Sequence, residues 1–241
     1  MEEYLIFAAI GGLLILTLFV NSVAEAYEQK QREKRIKILK IKQSLDELSD
    51  LLDRLKACEI ASDIRDLLLN EIMARLQTIQ RIDKHFKGIQ TLIDETSNHA
   101  GEPSLNDKAD VNINDEPDFR KIMVTLRRLI KRLNTGQWHS KVKTEQIQQF
   151  VKDAKLLRCE KIFQFYSDKA RVETEKEKFL VAKEHYFYII HALKSSGIST
   201  NPRVIELQEQ AEFMVQQIST MIANNMKKIV NDQASDKLVE K

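Results

Sequence analysis

Between Phe119 and Thr144 the chain carries Arg120, Lys121, Arg127, Arg128, Lys131, Arg132, Lys141 and Lys143, and no acidic residue. Cations at this density attract anions: the phosphates of a nucleic acid, or lipid headgroups at a membrane surface, where each base contributes about 1 kcal/mol. Arg120, Lys121, Arg127, Arg128, Lys131 and Arg132 are therefore the candidate contacts for an anionic partner. The plainer alternative is a solvated helix face opposite a packed one. Just upstream, Asp94, Glu95, Glu102, Asp107, Asp110, Asp115, Glu116 and Asp118 form an acidic stretch whose one base is Lys108. Such a stretch can fold back over the basic segment and compete with its anionic partner.

A second group offers recognition chemistry through aromatic rings. Phe163, Phe165, Tyr166, Phe179, Tyr186, Phe187 and Tyr188 are dense for a chain that is 7% aromatic. On a helix, consecutive side chains diverge by about 100°. Tyr186, Phe187 and Tyr188 thus cannot all face one core. They are the candidate lining of a groove for a partner's amphipathic helix or peptide. The alternative is a wide face buried between several helices.

Catalytic spacing is missing. The sequence holds no glycine-rich phosphate loop, no nucleophile elbow, no zinc-protease helix and no calcium-binding loop. His185 and His191 are six positions apart and leave a helix in different directions, while His85, His99 and His139 stand alone; metal ligands on one helix face sit three or four apart. Cys58 and Cys159 lie far apart with no CxxC pattern and read as small core residues of a reducing compartment. No catalytic residue, metal ligand or cofactor site is expected, and the function class indicated is not an enzyme.

The elements that position these groups are helices. Of 241 residues, 43% are hydrophobic and 31% charged, with only six Gly and three Pro, the composition of long helices. Ile38, Ile41, Leu45, Leu48, Leu52 and Leu55 alternate by three and four like a coiled-coil seam, which breaks at Glu59. After Ser62, a possible N-cap, a new stripe runs through Ile64, Leu68, Ile72, Leu76, Ile79, Ile82, Phe86, Ile89 and Ile93. A turn at 57–62 makes these two stripes a hairpin; one long helix with a shifting face is the other reading. The stretch 97–117 is polar and acidic with Pro103 and Pro117, a flexible linker. Beyond it, Asp118 opens a helix through Phe119, Ile122, Leu126, Ile130 and Leu133 that stops at Gly136. A long run from Gln137 divides near Glu173–Lys176, and Asn201-Pro202 starts a last helix. Short connections imply antiparallel neighbours.

The N-terminus adds a segment of another kind. Leu5 to Val20 is uncharged and, extended to Val23, spans roughly 30 Å as a helix, the thickness of a bilayer core. Ser22-Val23-Ala24 would suit signal peptidase, but Glu2 and Glu3 stand where a signal peptide needs bases, which favours an uncleaved anchor. Lys30, Arg32, Lys34, Arg35 and Lys37 behind it place the N-terminus outside and the rest in the cytoplasm. Ala8 and Gly12, a small-residue pair at helix-contact spacing, combine with the seam from Ile38 to allow a homodimer.

The sequence thus predicts an all-α, single-pass membrane protein, with a bacterial inner membrane as its expected location. Its parts are a transmembrane anchor (1–24), a juxtamembrane hairpin or short coiled coil (25–96), an acidic linker (97–117), an antiparallel helical bundle (118–232) and a polar tail (233–241). The expected role is a non-enzymatic scaffold or adaptor presenting cytoplasmic helical surfaces to protein partners. A membrane-tethered nucleic-acid binder using 119–143 is the alternative.

Overall fold

The computed structural model describes the backbone of residues 2–58, 60–84, 86–101 and 115–239, and the side chains of 18–58, 60–84, 86–98 and 115–227. Among the described residues it is all helical. The elements are α1 (Glu2–Leu55), a 3₁₀ turn (Lys56–Cys58), α2 (Ser62–Ile82), α3 (Ile89–Gly101), α4 (Glu116–Thr135), α5 (Thr144–Glu175), α6 (Phe179–Lys194) and α7 (Pro202–Val239). The chain divides into two compact units, Met1–Leu52 with Asp66–Pro103, and Asp53–Arg65 with Ser104–Lys241.

One expectation is overturned. Among the described residues no helix is long and apolar enough to cross a membrane. The single-pass topology, with its outside N-terminus, cytoplasmic bulk and bacterial inner-membrane location, is corrected accordingly. The physical reason lies in α1 itself: it runs on without a break past Val23 into Glu25, Glu28, Lys30 and Arg32, so its described part carries charge on every turn. The side chains of Leu5–Leu16, where the anchor was expected, lie outside the described residues.

In the first unit, Ile38, Leu45, Leu48 and Leu51 of α1 are buried, as are Leu68, Ile72, Leu76 and Ile79 of α2. The single chain covers both stripes. Each fully buried Leu or Ile contributes about 1.5–3 kcal/mol relative to exposure. The face of α2 is wider than its stripe suggests, because Leu67, Leu69, Glu71 and Arg75 are buried as well. Ser62 is the first helical residue rather than the cap, and Ala61 accepts the N–H of Ile64 at 3.1 Å. The stripe does not continue as one helix to Ile93. Gly88, at φ 82, takes a left-handed conformation that only glycine adopts readily, and α3 begins after it. The helix of α3 extends to Gly101, and Thr96 and Ser97 bond back to the carbonyls of Leu92 and Ile93. Residues 102–114 of the expected linker, and the fold-back expected of it, lie outside the described residues.

The second unit holds the chemistry. Asp115 caps α4, its carboxylate accepting the Asp118 N–H at 2.9 Å, so the helix starts before Asp118. Each helix then packs on the next: α4 on α5, α5 on α6, α6 on α7, with α7 also reaching α5. Phe119 near the start of α4 meets Phe165 in the later half of α5, and Lys194 at the end of α6 lies 3.5 Å from Glu212 early in α7. The core centres on Tyr186, Ile189 and Leu193 of α6 with Val204, Leu207 and Ile218 of α7. Ala170, Ala182 and Ala211 are fully buried there, and their small side chains let the three helices approach closely.

The turns have local causes. Asn201 accepts the Arg203 N–H at 2.9 Å in front of Pro202, and Gly197 sits at φ 72 between α6 and α7. Between α5 and α6 the left-handed position is taken by Glu177, at φ 58. A non-glycine residue there costs on the order of 1–3 kcal/mol and persists only where its surroundings enforce it.

Candidate functional site

The basic residues of α4 split by the helix period. Phe119, Ile122, Leu126, Leu129 and Leu133 are buried, which turns Arg120, Arg127 and Lys131 to the opposite, solvent side around the exposed Val124. Two of the six candidates are held by acids of the helix's own first turn. Arg120 bonds Glu116, and Lys121 lies 2.8 Å from Asp118, a bond that raises its pKa above the ordinary lysine value. Arg127 and Lys131, one turn apart, are exposed, and among the described residues neither forms an ion pair. Arg128 is exposed beside them. Arg132 does not belong to this face: it is half-buried, its guanidinium 5.9 Å from the centre of the Trp138 ring.

The three aromatic candidates on α6 separate. Tyr186 is buried in the core at 5% exposure, whereas Phe187 is 51% and Tyr188 49% exposed. Tyr186 therefore lines no groove. Tyr188 leans on Tyr166 of α5 at 4.3 Å between centroids, and Tyr166 meets Phe165 edge-on at 5.2 Å. This support orders the Tyr188 ring at the surface. Phe187 faces another side of the helix, with the Lys183 ammonium 5.6 Å from its ring centre. Burial pushes the Tyr166 hydroxyl up to about 12, so it stays protonated.

Beside these rings lies an open cleft of about 410 Å³, lined by Lys169, Val172 and Glu173 of α5, by Lys178 before α6, and by Val181 and His185 of α6. Its charges form a small network. Lys169 donates to Glu116 at 3.0 Å and stands 4.6 Å from the centre of the Phe165 ring. Glu116 also accepts from Arg120, and these two bonds, that from Arg120 first, hold its carboxyl below the usual range. Glu173 is held low by its bond to Lys176 at 3.0 Å, with Lys178 a further 3.8 Å contact. Burial first, and the charge of Lys169 second, lower the His185 pKa, which keeps that imidazole neutral at pH 7.

The sequence pattern did not bring out this cleft. The run from Glu173 to Lys178 reads as a solvated surface, and Lys169 and His185 meet only through the α5–α6 turn. A lysine, a tyrosine and a histidine on two neighbouring helices were the available signal, and it carries no fixed spacing.

Nothing in these surfaces is arranged for catalysis. Among the described residues no group of three or more His, Cys, Asp and Glu side chains could hold a metal ion. Cys58 and Cys159 are free thiols and both buried. Burial pushes Cys58 up to about 11 and raises Cys159 too, so neither supplies a thiolate nucleophile at neutral pH. His139 and His191 are exposed, and His85 and His99 lie outside the described side chains. What the geometry offers is surface: a basic line on α4, two supported rings on α6 and the cleft next to them. No protein-family description matches the chain, and no curated protein and no solved structure is significantly similar to it.

Proposed function

We propose that this protein is a non-enzymatic interaction module, an adaptor that presents the outer surface of α6 to protein partners. In this reading α1 and α2 form an antiparallel hairpin and α4–α7 an antiparallel bundle that serves as the rigid platform. The observation that supports it is the pair Phe187 and Tyr188, half exposed on a helix whose other face is fully packed. Large rings ordered before binding lose little conformational entropy on contact, which is why aromatic anchors dominate binding energy. The Tyr188 ring is already held by Tyr166.

The test is affinity capture from cell extract with the native chain and with Phe187→Ala/Tyr188→Ala. Recovery of captured partners is expected to fall about 30-fold, the effect of losing one interface hot spot. The melting curve should stay close to native, because the rings lie outside the core. Equal recovery by both proteins would retire the reading.

A second reading is favoured by a separate observation, the exposed Arg127 and Lys131 on the outer line of α4. It makes this face a contact for nucleic-acid phosphates. Arg127→Ala/Lys131→Ala is then expected to weaken duplex binding and to lower the slope of log affinity against log salt by about 2, one counterion per phosphate contact. Absence of any salt-dependent duplex binding by the native chain would exclude it.

A further inference from the structure

The cleft beside Tyr188 has a neighbour. On the other side of the start of α6 lies an apolar pocket of about 350 Å³, lined by Phe179 and Leu180 of α6 and by Ile222 and Met226 of α7. Lys178 and Val181 line both cavities, so the two are halves of one surface wrapped around the α5–α6 elbow. Leu180 is 68% and Met226 60% exposed, a large apolar offering at the edge of a well-packed core. The halves differ in charge. The pocket is walled by aliphatic and aromatic side chains, whereas the cleft gathers Lys169, Lys176 and Lys178 around Glu173 and Glu116. Those cations outnumber the carboxylates. Glu173 is already engaged by Lys176 and Lys178, so an incoming carboxylate meets ammonium groups rather than a bare anion. The backbone adds an independent sign. Glu177, which lines the pocket, is the residue held at φ 58, and strained positions of this kind gather at ligand sites.

We propose that this elbow is a two-part site for a short peptide segment of a partner, seating a bulky apolar side chain between Leu180 and Met226 and a neighbouring carboxylate at Lys178 and Lys169. The inference rests on the interaction-module reading and names the chemistry of the partner: an acidic segment carrying an aliphatic residue beside its acids. The apolar contact supplies affinity by removing Leu180 and Met226 from water. The lysines supply selection, because a segment of the wrong charge leaves them unpaired in the contact.

The probe is a fluorescein-labelled octapeptide with two adjacent leucines followed by two glutamates, titrated with the full chain and read by fluorescence polarisation. Saturable binding is expected, and it should weaken about tenfold when the glutamates are replaced by glutamines, or when the chain carries Lys178→Glu or Leu180→Asp. Both substituted side chains are exposed, and circular dichroism confirms that each variant is folded. No saturable binding at millimolar chain overturns the proposal, as does a glutamine peptide that binds equally well. Indifference of the probe to both chain variants also overturns it, since the peptide would then sit elsewhere. The parent reading fails separately. If Phe187→Ala/Tyr188→Ala abolishes partner capture while the probe ignores Lys178→Glu and Leu180→Asp, the module stands and the elbow site falls. If the probe behaves as expected while that double variant captures partners normally, the elbow site stands and the role of Phe187 and Tyr188 falls.

Discussion

Glu71→Ala is expected to destabilise the fold by about 3–5 kcal/mol, the effect of breaking one half of a buried ion pair. Glu71 is fully buried on α2, and its Oε1 accepts from the Arg75 Nε at 2.8 Å, with the arginine side chain only 5% exposed. The two are one helical turn apart, flanked along the helix by the buried Leu68, Ile72 and Leu76. Removing the carboxylate strands a guanidinium charge in a medium that solvates it poorly. Arg75→Ala should cost a similar amount for the mirror-image reason. The pair Glu71→Leu/Arg75→Met removes both charges while keeping volume, and most of the loss should return. Urea unfolding of the three variants checks this. A single substitution costing under about 1 kcal/mol would show the pair to be no better than a surface salt bridge. Lys56–Asp53, both partners well exposed, is the internal reference for that lower class.

Phe119→Ala is expected to cost about 3–5 kcal/mol, the range for deleting a buried aromatic ring. Phe119 is 6% exposed and lies flat on Phe165 at 4.1 Å between centroids, with Tyr166 edge-on at 5.6 Å. These rings form the small core that joins α4 to α5, with Ile162 beneath them. Alanine leaves a hole there that rigid neighbours fill only in part. Hydrogen exchange should therefore quicken along α4 before it does in α6 and α7, whose core is separate. Phe119→Leu should cost less, since much of the volume remains. A cycle of Phe119→Ala with Phe165→Ala should return a coupling of about 0.5–1.5 kcal/mol from ring contact alone. Uniform loss of protection across α4–α7 would mean that the two clusters act as one.

Parts of this architecture were legible because their causes are local. Few glycines and prolines and three- and four-residue apolar spacing suffice to indicate helices, since both act within one or two turns. Gly136 ends α4 through its N–H to the Arg132 carbonyl, and Asn201-Pro202 opens α7 through a bond two residues long. The amphipathic split of α4 follows the same way, which is why Arg127 and Lys131 face solvent where the pattern puts them. Other expectations failed for a shared reason. The apolar run at the N-terminus suggested a membrane span, yet among the described residues no helix is apolar enough to be one. Three consecutive rings at 186–188 suggested a groove, yet one of them is core.

By itself, then, the order of residues decided helix content, most turns and which side of α4 is charged, because these depend on neighbours a few positions away. Tertiary packing alone decided that Glu71 and Arg75 are buried, that Tyr186 turns inward while Tyr188 rests on Tyr166, and that Lys169, Lys178 and His185 share a cleft. Each of these outcomes is set by what a second helix covers. Burial of a charge or a ring is a property of the contact between elements, and no periodicity within one element records it.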